Sequence, residues 1–151
     1  DYQPQHFSCY VNGEEFVPNG AGTCRGTSAF YDPDGFLNTE PGYLTIGGQQ
    51  CLTNGRRVID FGLTPVFSEG IYDFSDTLFS RVVGYYWDVS FDSESIYLYF
   101  YKGTLEITKL EPQTYRPFVQ GRIEGTFEMS CANDQGDTVH ITDGSFSLNL
   151  R

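Results

Sequence analysis

The stretch GTFEMSCANDQGDTVHITDGSFSLNL, residues 125–150, decides how this chain is built. Phe127, Met129 and Cys131 fall on every second position, with Thr126, Glu128 and Ser130 between them. Upstream, Ile123 extends the apolar phase, and Arg122 and Glu124 extend the polar one. Such alternation belongs to a strand with one buried and one wet face. ANDQGD, residues 132–137, is a polar turn, and Val139 and Ile141 restart the apolar phase beyond it. Asp143-Gly144 then interrupts the pattern before Phe146, Leu148 and Leu150, so the returning strand is expected to bulge or bend near Gly144.

The same reading extends along the chain. HFSCYVNGEEFVP (6–18) alternates through Phe7, Cys9 and Val11 into Asn12-Gly13, the signature of a type I′ hairpin turn. YLTIGG (43–48) and RRVIDFGL (56–63) are further strands, the latter with Arg57, Ile59, Phe61 and Leu63 in one phase. PVFSEGIYDFSDTLFS (65–80) supports a short strand around Ile71 to Phe74. RVVGYYWDVSF (81–91) places Val83, Tyr85, Trp87, Val89 and Phe91 on one apolar face, which predicts Trp87 in the core. IYLYFY (96–101) separates Ile96, Leu98 and Phe100 from Tyr97, Tyr99 and Tyr101. Lys102-Gly103 reads as a turn into TLEITKL (104–110), which makes these segments an antiparallel meander, and EPQTYRP (111–117) reads as the loop that follows.

About ten strands at regular spacing, with no helical stretch of normal length, predict an all-β, antiparallel barrel or sandwich. A lipocalin-like barrel is the version that leaves a ligand cavity. The 151 residues form one domain, 1–151, with 13 Phe, 11 Tyr and 17 Gly supplying sheet and turn residues. Nine basic against twenty acidic residues give a net charge of −11, which repels phosphate backbones and argues against nucleic acid as a partner. No apolar run is long enough to cross a bilayer as a helix. The chain opens on DYQPQHFSCYV without a Met, and we expect a mature form whose targeting segment has been removed.

The cysteines are Cys9, Cys24, Cys51 and Cys131, an even number without a C-x-x-C pair, which favours disulfides over zinc. Of the three pairings, 9–131 with 24–51 is preferred, because Cys9 and Cys131 share the apolar phase; buried free thiols are the alternative. Bridges would place the protein in an oxidising compartment.

Sites of chemistry are few. Asp134 and Asp137 in the 132–137 turn, like Asp32 and Gly35 in YDPDG, are residues a turn already requires, and the stretch lacks the ligand order of an EF-hand. His140 has no nucleophile motif beside it, and His6 lies near the terminus, so neither a triad nor a multi-histidine metal site is expected. Glu124 and Glu128 share one strand face with backbones roughly 13 Å apart, which gives no support to a glycosidase pair. The most distinctive feature is a tyrosine face: Tyr97, Tyr99 and Tyr101, joined by Tyr86 from the adjacent strand. Covered, these rings are core; exposed, they suit stacking on sugar rings or meeting a protein.

GRIEGTF (121–127) followed by VHITDGSFSL (139–148) resembles the C-terminal signature of a family of uncharacterised secreted lipoproteins from gut-dwelling anaerobic bacteria. FSCYVNGEEF resembles that family's opening strand and TLEITKL the strand before its closing hairpin, whereas the cysteines are a departure. The resemblance implies the cell envelope, periplasm or outer surface, and membrane attachment only through a lipid on a cysteine upstream of this chain. It brings no catalytic residues and no cofactor. The expectation is therefore a non-enzymatic envelope or surface protein that binds a glycan or a protein partner. The alternatives are a lipocalin-like carrier of a small apolar ligand and a carbohydrate-active enzyme with two convergent carboxylates.

Overall fold

The computed structural model describes residues 4–19, 26–35, 39–76, 79, 81–91, 95–115 and 118–150. Its regular elements are ten β-strands: β1 (His6–Val11), β2 (Glu14–Phe16), β3 (Thr27–Asp32), β4 (Tyr43–Leu52), β5 (Gly55–Thr64), β6 (Gly70–Asp73), β7 (Arg81–Ser90), β8 (Ile96–Tyr115), β9 (Phe118–Ala132) and β10 (Thr138–Leu150). They form one antiparallel sheet in the order β2-β1-β10-β9-β8-β7-β5-β4-β3, with β6 also paired to β8. The sheet curls into a half-barrel. β3 comes alongside β10, and Asn19, beyond β2, bridges to Gln50 of β4.

Local chemistry sets the corners. Asn12 and Gly13 take φ values of +50° and +79°, the two left-handed positions a type I′ turn requires, and Val11 pairs with Glu14 across them. In the closing hairpin, Asn133 Oδ1 accepts from the backbone N–H groups of Gln135 and Asp137, and Asn133 Nδ2 donates to the Asp137 carboxylate. The expected irregularity at Asp143-Gly144 is a β-bulge. Ile141 pairs with Met129 and Gly144 with Phe127, so Thr142 and Asp143 together face one residue of β9, with Asp143 at φ +52°. The extra residue moves the buried phase from Val139 and Ile141 to Phe146, Leu148 and Leu150.

Two sequence expectations are corrected. Lys102-Gly103 is no turn, because β8 runs unbroken through it. The register passes from Phe100↔Cys131 to Lys102↔Ser130, so Tyr101 is a bulged residue that shifts the buried phase from Leu98 to Leu105 and Ile107. Gly103 is required for close approach instead: a Cβ there would lie 2.7 Å from the Glu128 carbonyl oxygen and 2.8 Å from the Phe74 ring. Likewise, residues 111–115 of EPQTYRP continue β8 and pair with 118–122 of β9, while Arg116 and Pro117 lie outside the described residues.

The concave side is filled by rings. Phe127 meets Phe61 at 4.9 Å, Phe7 at 5.2 Å and Phe146 at 6.2 Å between centroids, and Phe61 also touches Phe74. Towards one end Arg57 lies in the core phase. It donates through Nε to Gln50 and through a terminal nitrogen to the Glu15 carbonyl, with its guanidinium over the Phe16 ring.

Candidate functional site: an outward aromatic face

Registration of β5, β7 and β8 determines which rings meet. Tyr86 is opposite Leu98, and both are buried, at 4% and 0% exposure. Cross-strand partners share a face, so the odd-numbered residues of β7, and Tyr97 and Tyr99 of β8 before its bulge, point outward. Tyr86 therefore belongs to the core and not to the tyrosine face. Trp87, opposite Tyr97, is only half-buried and joins the outer rings instead of the core. Val83 at 41% and Phe91 at 70% exposure share that outer phase.

The result is a continuous aromatic surface on the convex side. Tyr85 stacks on Tyr97 with centroids 5.0 Å apart and planes at 21°. Tyr97 meets Tyr99 edge-on at 4.9 Å and Trp87 edge-on at 6.0 Å. Tyr97, Tyr99 and Tyr101 line one depression with Asn133, Asp134 and Gln135 of the closing turn. Tyr99 is 62% exposed and Tyr101 51%.

Polar groups border these rings. The Arg56 guanidinium lies 5.6 Å over the Trp87 ring. Further along β5, the Tyr85 hydroxyl donates to Asp60 Oδ2 at 3.3 Å. Burial raises the Asp60 carboxyl to about 6, against the lowering effect of hydrogen bonds from Tyr85 and the Phe61 backbone. Burial also pushes Tyr85 up to about 12, helped by the neighbouring Asp60. Asp60 lies opposite Gly47 of β4, and a Cβ at Gly47 would sit 3.3 Å from the Asp60 Cγ. The missing side chain lets the Asp60 carboxyl and the Ile59 carbonyl pack closely against β4. Nothing in the sequence marks Asp60, which reads as an ordinary outward strand residue until β4 and β7 are placed on either side of it.

The remaining candidates do not converge. Glu124 accepts from Arg122, whose guanidinium also donates to Asn149, Ser147 and the Pro4 carbonyl, so Arg122 is buried although it sits in the outward phase of β9. His140 is exposed, and its Nδ1 lies 2.9 Å from Ser130 Oγ, its cross-strand partner. The two border a depression of about 540 Å³ together with Asp73, Lys102, Glu128 and Thr142. His6 pairs with Ser145. Among the described residues no group of three or more His, Cys, Asp or Glu is placed to hold a metal ion.

The cysteine expectation is corrected in one half. Cys9 and Cys131 are free, buried thiols, each pushed up to about 12 by desolvation. The reason is topological: β10 lies between β1 and β9, which separates the two backbones by roughly 9–10 Å, beyond disulfide reach. Cys51 is disulfide-bonded, and Cys24 lies outside the described residues. Compared with protein-family models, characterised proteins and solved structures, the chain matches none.

Proposed function

We propose that this protein is a non-enzymatic binding protein of the cell envelope or outer surface, and that its outer aromatic face holds a glycan. The observation that carries the reading is the contiguous set Tyr85, Trp87, Tyr97 and Tyr99, turned away from the core although its residues are apolar enough to fill one. Exposed aromatic patches on a soluble domain mark contact surfaces. Flat rings offer an apolar surface to the C–H face of a sugar, while Asp60, Arg56 and the tyrosine hydroxyls supply hydrogen bonds at the edges. That mixture of rings and polar groups fits a polyhydroxylated ligand better than an apolar one. An apolar ligand would need an interior cavity, and rings centred on Phe127 occupy the concave side. The disulfide at Cys51 and the acidic surface fit an oxidising, extracytoplasmic location, as the resemblance to secreted lipoproteins implies.

The test is affinity electrophoresis and calorimetry against soluble polysaccharides. Trp87→Ala and Tyr99→Ala should each weaken binding at least tenfold while leaving the far-ultraviolet circular dichroism unchanged. Wild-type protein that binds no polysaccharide but captures a protein through the same rings would overturn the glycan reading.

A further inference from the structure

We propose that the depression between the tyrosines of β8 and the closing turn is an ammonium-binding subsite, in which Tyr97 and Tyr99 receive the protonated amino group of an amino sugar and Asp134 is its counter-ion. The proposal rests on the glycan reading above and adds the chemical class of the sugar.

Four observations meet at this place. The first is a depression of about 590 Å³, with Tyr97, Tyr99 and Tyr101 on one side and Asn133, Asp134 and Gln135 on the other. Tyr99 pairs with Ala132 of β9, which brings the turn to the edge of the rings. The second is a fixed wall with unused polar groups. Asn133 ties the turn together, accepting from the backbone N–H groups of Gln135 and Asp137 and donating to the Asp137 carboxylate. Among the described residues the side chains of Asp134 and Gln135 have no hydrogen-bond or ion-pair partner, so the Asp134 carboxylate keeps its acceptor positions for a ligand.

The third observation is the company the neighbouring rings keep. The Arg56 guanidinium lies 5.6 Å over the Trp87 ring and the Lys102 ammonium 5.9 Å over the Tyr101 ring. Ring faces attract cations through their quadrupole. Tyr97 and Tyr99, between those two, carry no cation among the described residues, although Tyr99 is 62% exposed. The fourth is charge. At −11 the chain draws cations to its surface, and no cationic residue lines this depression. Lys102, next along β8, borders the neighbouring depression with Ser130 and His140.

A neutral sugar would meet the rings but leave the carboxylate without a counter-charge, and an acidic sugar would be repelled by it. An ammonium group on the sugar serves both, through cation–π attraction and a charge-assisted hydrogen bond. A lysine-rich protein segment offers the same ammonium but no flat C–H face for Tyr85 and Trp87, so an amino sugar uses more of the surface.

The experiment is calorimetry on the full chain in mildly acidic buffer, where the amines are protonated. Cellohexaose, chitohexaose and N-acetylchitohexaose share one backbone and differ at C2, which carries a hydroxyl, an amine or an acetamide. We expect chitohexaose to bind at least tenfold more tightly than the other two and to lose most of that margin at high salt. Asp134→Asn should weaken chitohexaose binding at least tenfold and leave cellohexaose binding unchanged. Tyr99→Phe should bind chitohexaose like wild type and Tyr99→Leu should not, because the ring holds the cation. Glu15→Gln removes the same charge from β2, at the edge of the sheet. If it weakens chitohexaose binding as much as Asp134→Asn does, the preference comes from net charge and the subsite is refuted. Equal binding of all three oligosaccharides, abolished by Trp87→Ala, would overturn the ammonium class and leave the glycan reading standing. Tighter binding of an oligolysine than of chitohexaose, through Tyr99 and Asp134, would assign the site to a basic protein and remove both readings. Failure of wild type to bind any of the three oligosaccharides would also remove both.

Discussion

Asp60 is the residue where the proposed binding face and the stability of the fold meet. Its carboxyl ionises in the folded protein only near pH 6, against about 4 in an unfolded chain. Between those values the folded state keeps a proton that the unfolded state has lost, so stability falls as pH rises through the window. Above pH 6 the full cost persists. Two units at about 1.4 kcal/mol each set an upper bound of about 3 kcal/mol. Asp60→Asn stays neutral and should be more stable than wild type, by about 1 kcal/mol at pH 4.5 and up to about 3 kcal/mol at pH 8. Urea denaturation at the two pH values measures this, and an equal difference at both would show that Asp60 is not desolvated. Carboxyls carrying such a shift cluster at functional sites, although structural ones occur too. Residue identity alone did not reveal it. The alternation in β7 correctly separated two faces but not inside from outside, because both faces of GYYW are apolar. Only Leu98 opposite Tyr86 decides that Trp87 turns outward.

At the scale of elements, the sequence was most legible where a turn or bulge carries its own backbone signature. Asn12-Gly13 and Asp143-Gly144 were both read correctly: the first takes left-handed φ values at both residues and the second at Asp143, a conformation few residues tolerate. Lys102-Gly103 misled because glycine also serves close approach, which depends on a strand far away in sequence. The same distinction gives a prediction. At Gly125 a Cβ would lie 2.1 Å from the Glu106 carbonyl oxygen and 2.8 Å from the Phe146 ring, backbone and core that cannot give way. Gly125→Ala should therefore cost more than about 3 kcal/mol or prevent folding. At Gly136, φ is +87° but nothing lies within 4 Å, so Gly136→Ala carries conformational strain alone, about 1 kcal/mol. Urea midpoints of the two variants should differ accordingly. Similar values would mean that β8 and β9 are not packed at Gly125 as described.

For the whole molecule, strand order is what period-two reading could not supply, and the cysteines show why. Cys9 and Cys131 share a buried phase, but a phase says nothing about which strand lies between them. The sheet interposes β10, leaving two thiols in the core beside a disulfide-bonded Cys51. The three sites should thus differ in reactivity. Burial holds Cys9 and Cys131 as thiols with values near 12, so at neutral pH neither offers a thiolate and both should resist a thiol reagent in the native protein. Unfolding in denaturant without reductant exposes them, and alkylation followed by peptide mapping should label Cys9 and Cys131 but leave Cys51 unlabelled until reductant is added. The rate of native-state labelling then reports how often the half-barrel opens. Phe127→Ala, which removes the ring that joins β9 to Phe7, Phe61 and Phe146, should destabilise by about 3–5 kcal/mol and accelerate labelling at both core thiols together. Labelling of one core thiol without the other would mean that β1 and β9 open independently, and the curled sheet would then not be a single cooperative unit.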